Sequence, residues 1–205
     1  MKNGGDRSLI YSHPALYGLT MRLLYGSAYE ARYRAIAALV ADGADVFEAC
    51  AGDAYLYRRY LRARAVRYRA GELNPEFVAH ARAQGIQMDA FDLRRDPVPT
   101  ADVVILHASL YQFMPDHPRV VDRLQRAARQ TLIISEPVRN LSTSRWALVR
   151  WIATRSADPG DGDKPRRFDE ASLDAFFTTH YADHILERTL IPGGREKIYR
   201  LRGLA

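Results

Sequence analysis

An apolar run through Val46 and Phe47 ends in Glu48, and from there Cys50, Gly52 and Ala54 occupy every second position. Small residues at that spacing let a strand turn sharply into a helix while a ligand lies against bare backbone; Gly52 permits dihedral angles and a close approach that a side chain would block. The helix that follows offers unpaired N–H groups to the same ligand. Glu72 stands twenty residues beyond Gly52. Together they point to a cofactor that contains adenosine. A nicotinamide dinucleotide is the nearest rival, but the G-x-G-x-x-G fingerprint is absent, and Glu48 lies where a pyrophosphate would find a carboxylate repulsive.

The elements that must hold these residues follow from the apolar pattern. Residues 8 to 42 read as two helices with a break near Gly26-Ser27, and Asp42-Gly43 ends the second. Strands at 45–49, 65–71, 85–89, 102–107 and 131–135 then alternate with helices at 53–63, 75–83 and 116–129. Such alternation implies parallel strands joined by right-handed crossovers. Val103-Val-Ile-Leu106 is a short continuous apolar run, as expected of a strand buried on both faces. A helix at 169–179 opens on Asp169 as its N-cap. Pro192-Gly-Gly194, between runs at 184–191 and 196–201, reads as the turn of a β-hairpin. An antiparallel pair therefore closes a parallel sheet.

The chain has 205 residues, 47% of them hydrophobic, enough for one domain with a sizeable core. No apolar run approaches the roughly 18 residues of a spanning helix, and Met1-Lys-Asn-Gly-Gly-Asp-Arg7 lacks the apolar stretch of a signal peptide. A cytoplasmic protein is expected. Cys50 is the single cysteine, so neither an internal disulfide nor a metal site built on several thiolates is available. The formal charge of +6 would suit a polyanion, but arginine supplies it almost alone, with lysine only at Lys2, Lys164 and Lys197. That is first a compositional bias, and nucleic acid is not the favoured partner.

These pieces resemble the class I S-adenosylmethionine-dependent methyltransferases over roughly residues 30 to 205. The resemblance implies a Rossmann-like, doubly wound α/β fold with a seven-stranded sheet, mostly parallel, ending in an antiparallel hairpin, with helices at the N-terminus. It implies one domain over 1–205, with a helical cap at 1–42 and a lid or insert at 138–167 in the core at 43–205. Glu48, Ala49, Cys50 and Gly52 would bind the cofactor, Glu48 at its methionine end through the ammonium group. Glu72 would accept both ribose hydroxyls, a carboxylate having two acceptor oxygens for the two donors of a diol. Leu73 would pack on the adenine, whose edge Asp89 and the Ala90 amide would read, with Asp92 as the rival. The family usually has glycine where this chain has Cys50 and Ala54.

Methyl transfer from a sulfonium needs mainly alignment and exclusion of water. His107, at the carboxyl end of the fourth strand, would face the methionine moiety or the substrate, and where a base is required it is the candidate, ahead of His13, Tyr17, Tyr111 and His117. Tyr17, in the segment that folds over the cofactor in many small-molecule methyltransferases, would close the methionine pocket. His107-Ala-Ser-Leu-Tyr111 carries neither the Pro-Pro motif of the nucleic-acid amino methylases nor the carboxylates of a metal-dependent catechol enzyme. The expected acceptor is a small molecule, apolar or lipid-linked. Residues 138–155, with Trp146 and Trp151 bordered by arginines, read as core packing, a substrate lid or a helix at a membrane surface. The alternative function is binding of S-adenosylmethionine or S-adenosylhomocysteine without turnover, or a nucleic-acid-binding partner.

Overall fold

The structure, a computed structural model, describes residues 27–139 and 167–205. Most of the expected N-terminal cap, Tyr17 and His13 with it, and most of the 138–167 lid, including Trp146 and Trp151, lie outside the described residues. Seven strands form one sheet in the order β3-β2-β1-β4-β5-β7-β6. They are β1 (Asp45–Ala49), β2 (Arg67–Glu72), β3 (Met88–Ala90), β4 (Ala101–His107), β5 (Ala128–Pro137), β6 (Ile185–Leu190) and β7 (Glu196–Arg202). The pairs among β1 to β5 are parallel, whereas β7 runs antiparallel to both β5 and β6. The chain winds outwards from β1 in one direction and from β4 in the other, so their carboxyl ends part and leave a crevice.

Alternate side chains of the central strands feed two cores. Phe47, Ala49, Val104, Leu106, Leu132 and Ile134 pack with helices α3 (His117–Ala127) and α4 (Glu170–Tyr181), where Phe177 and Tyr199 stack at 4.0 Å. Val46, Val103, Ile105 and Ile133 pack on the other side. There helix α1 (Ser27–Ala38) brings Tyr29, Tyr33, Ile36 and Ala37, spaced as one face of a helix, and α2 (Pro75–Ala83) brings Val78 and Ala81. Burial on both faces explains the unbroken apolar runs of β4 and β5. Arg32 of α1 is paired with Glu196 of β7, whose other oxygen accepts from Ser135 Oγ at 2.6 Å. Asp169 caps α4 reciprocally with Ser172.

Three elements depart from the sequence pattern. In place of a regular helix over 53–63, Tyr57–Leu61 is a π-helical turn in which Arg62 N–H reaches back to Tyr57 O at 2.9 Å. The wider turn lets Tyr57 stack on Tyr68 at 4.3 Å and Tyr60 donate to Glu30. Strand β3 starts only at Met88, because Gly85 turns the chain at φ 71° and Ile86 is taken into the core before pairing begins. Strand β5 starts at Ala128, directly on the end of α3, because Ala128 pairs with Ala101. Among the described residues no helix is long and apolar enough to cross a membrane.

Candidate active site

The crevice between β1 and β4 is floored by the loop that leaves β1. Cys50, Gly52 and Ala54 all hold left-handed dihedrals there, with φ of 55°, 56° and 54°. The alternation of small residues is thus a backbone requirement, met once by glycine and twice at a cost of about 1–2 kcal/mol per L-residue. A Cβ built on Gly52 meets nothing within 4 Å, so the chain faces open space at this point. The Cys50 thiol is held well above its usual pKa by burial and by Glu72, with Arg94 opposing, which keeps it protonated and unreactive. The Ala49 side chain is wholly buried in the core beside α3.

Glu72, at the end of β2, closes over this loop. One carboxylate oxygen accepts Gly52 N–H at 2.8 Å and the other accepts Asn74 N–H at 2.9 Å. Burial raises its pKa while the N–H groups oppose the rise. The Leu73 N–H is a third backbone donor to the same carboxylate. Leu73 beside it is 61% exposed, a bare apolar surface next to the carboxylate. Ala90 pairs with Glu72 across the β2–β3 seam, whereas Asp89 turns to the exterior and bonds Arg82 at 2.9 Å. Asp92 is a nearer neighbour of the loop, its charge acting on the Cys50 thiol.

Glu48 and His107 meet on the other wall. Their strands run side by side, with Glu48 opposite Ile105 and Ala70, and the side chains join at 2.8 Å between Glu48 Oε1 and His107 Nε2. Tyr68 donates to Glu48 Oε2 at 2.6 Å; burial, then Glu48 itself, holds its pKa well above the usual value, so it stays a donor. Glu48 is 0% exposed. In the tautomer that donates from Nε2 to Glu48, Nδ1, buried and without a partner among the described residues, is an acceptor. Tyr33 meets the same ring edge-on at 5.2 Å.

No protein-family model and no curated protein sequence matches the chain. Solved structures do. A chain from the complex of the Haloferax volcanii Trm112 methyltransferase activator matches with a TM-score of 0.69 at 15% identity, over 97% of this chain and 99% of that one. The DhpI–SAH complex matches with 0.66 at 19% identity, over 97% and 98%. Magnesium protoporphyrin IX methyltransferase from Synechocystis PCC 6803, with bound SAH, matches with 0.63 at 16% identity, over 91% and 94%. The chain has the class I S-adenosylmethionine-dependent methyltransferase fold.

Within this methyltransferase fold one prominent buried group escaped the sequence reading. Glu136, at the carboxyl end of β5, accepts the N–H groups of Ser109 and Leu110 at 2.7 and 2.6 Å and so pins the turn that follows β4. It is 1% exposed, and burial pushes its pKa up to about 8. Its second oxygen is buried without a partner among the described residues. The signal was the Glu136-Pro137 pair that closes the apolar run of β5. Among the described residues no group of three or more His, Cys, Asp or Glu side chains could hold a metal ion.

Proposed function

We propose that this chain binds S-adenosylmethionine in the crevice and transfers its methyl group to a small-molecule acceptor. The observation that carries the reading is the clasp of Glu72 on Gly52, which joins the two expected cofactor contacts at 2.8 Å beside open space. The residues present fit the group: a carboxylate beside the loop for a ribose diol, a bare loop, and exposed Leu73 for a flat base. Glu48 and the backbone of Ala49 and Cys50 form the wall for the methionine end, and Asp89 or Asp92 with Ala90 the wall for adenine.

The bound cofactor supplies a methyl already activated by its sulfonium. The chain's own work is to align an acceptor with it, exclude water and, where the acceptor is an O–H or N–H, take up the proton. His107 is the proposed base. Glu48 and Tyr68 fix its ring, so Nδ1 is the atom that receives the proton.

Calorimetric titration with S-adenosylmethionine and S-adenosylhomocysteine tests the cofactor assignment. Saturable binding of both at one site per chain is expected. Folded protein that binds neither at millimolar concentration would refute it. Binding without methylation of any acceptor in a broad panel would favour the reading of a protein that binds the cofactor without turnover.

A further inference from the structure

Two arginines that the cofactor reading does not use bracket the turn Leu110–Phe113, which follows β4 and is pinned by Glu136. Arg94, in the loop after β3, lies over the Phe113 ring at 5.0 Å and donates to Gln112 O at 3.0 Å. Arg167, just before the cap of α4, lies over the Tyr111 ring at 4.2 Å. Its Nη2 stands 3.5 Å from Tyr111 Oη. Neither forms an ion pair with any carboxylate among the described residues, unlike Arg69 and Arg129, which share Asp45. With one hydrogen-bond acceptor each, Arg94 and Arg167 leave most of their five N–H donors unspent among the described residues.

The location gives these charges a use. The turn stands at the carboxyl end of β4, beside the crevice, and Arg94 is close enough to the β1 loop to act on the Cys50 thiol. A guanidinium stacked on an aromatic ring is held in one plane, with its edge left free for an oxyanion. Charge-assisted bonds of that kind are among the strongest available to a small ligand.

We infer that Arg94 and Arg167 select an acceptor that carries an oxyanion, a carboxylate or a phosphate, on an apolar body. The inference rests on the methyl-transfer reading and narrows its acceptor to anionic molecules. Arg94 and Arg167 are specificity residues for the acceptor and have no part in holding the cofactor.

The test uses three probes that share one flat body: 2-naphthoate, 2-naphthyl phosphate and 2-naphthamide. Binding of each is measured by ligand-observed NMR, with and without saturating S-adenosylhomocysteine, for the wild type and for Arg94→Ala and Arg167→Ala. At least one oxyanion should bind about tenfold or more tightly than the neutral amide, and whichever anion ranks first identifies the headgroup. That preference should fall to within about threefold in one or both variants, whose affinity for S-adenosylhomocysteine should stay at the wild-type value. Equal binding of all three probes, binding of none, or a preference that survives both substitutions would overturn the inference. Failure of S-adenosylhomocysteine to bind would instead count against the cofactor reading, because the probe ranking is also read without it.

Discussion

The left-handed alanines invite a stability test in which an ordinarily damaging substitution becomes harmless. Ala54 is 0% exposed and holds φ 54°. Replacing it with glycine removes a buried methyl, a loss of about 0.8 kcal/mol, and loosens the unfolded chain by about 0.4–1 kcal/mol. It also releases about 1–2 kcal/mol of left-handed strain. The sum lies near zero. Ala81 is equally buried but sits in helix α2 with ordinary dihedrals, so Ala81→Gly should cost about 2 kcal/mol, from the methyl and the helix propensity together. Ala65, exposed at φ 53°, has no buried methyl to lose, and Ala65→Gly should stabilise by about 0.5–1 kcal/mol. In thermal unfolding, Ala81→Gly should lower the midpoint by about 4–8 °C for a chain of this size, while Ala54→Gly leaves it within about 2 °C. Urea titration with an unchanged m-value would confirm that stability alone has moved. If Ala54→Gly proves as damaging as Ala81→Gly, the left-handed strain assigned to the β1 loop is wrong.

Three further outcomes are expected. Glu72→Ala should weaken S-adenosylhomocysteine binding by about 1.5–3 kcal/mol, the worth of hydrogen bonds to a charged group, as read by calorimetry. Glu136 carries a pKa raised from 4.5 to about 8, so between those values the native state holds a proton that the unfolded chain has released, and stability falls as pH rises through that window. Glu136→Gln, which keeps an acceptor for the pinned turn and cannot ionise, should therefore gain stability relative to the wild type as denaturation curves move from about pH 5 to about pH 9. Phe177 is fully buried and stacks on Tyr199, and Phe177→Ala should cost about 3–5 kcal/mol in chemical denaturation.

Strand periodicity carried most of the fold into view. The continuous runs in β4 and β5, the Pro-Gly-Gly turn between β6 and β7 and the Asp169 cap all correspond to local chemistry that a single segment reveals. The π-helical turn does not, because it is set by contacts of Tyr57 and Tyr60 with Tyr68 and Glu30, residues distant in sequence. The same division runs through the site. The spacing from Glu48 to Ala54 marked the loop whose left-handed residues the structure shows, whereas the bond from Gly52 N–H to Glu72 was not part of the sequence pattern. The union of Glu48 with His107 and Tyr68 could not be read, because it depends on which faces of three neighbouring strands align. Arg94 and Arg167 were hidden for a different reason. In a chain this rich in arginine, their place over the rings of the turn after β4 distinguishes them, and that place is a property of the folded state.

The seam between β1 and β4 also bears on the order in which the molecule assembles. Glu48 and His107 are 59 residues apart, and β2, α2 and β3 all lie in the excursion between them. Bringing β4 back to β1 means closing that whole loop, an entropic cost met before the parallel pairing returns anything. The crevice therefore belongs among the late events of folding, and partial unfolding should open it early. A ligand spanning the ends of β1, β2 and β4 would stitch that seam shut, so its stabilising effect should appear as slower amide exchange along β1 and β4 rather than evenly through the sheet.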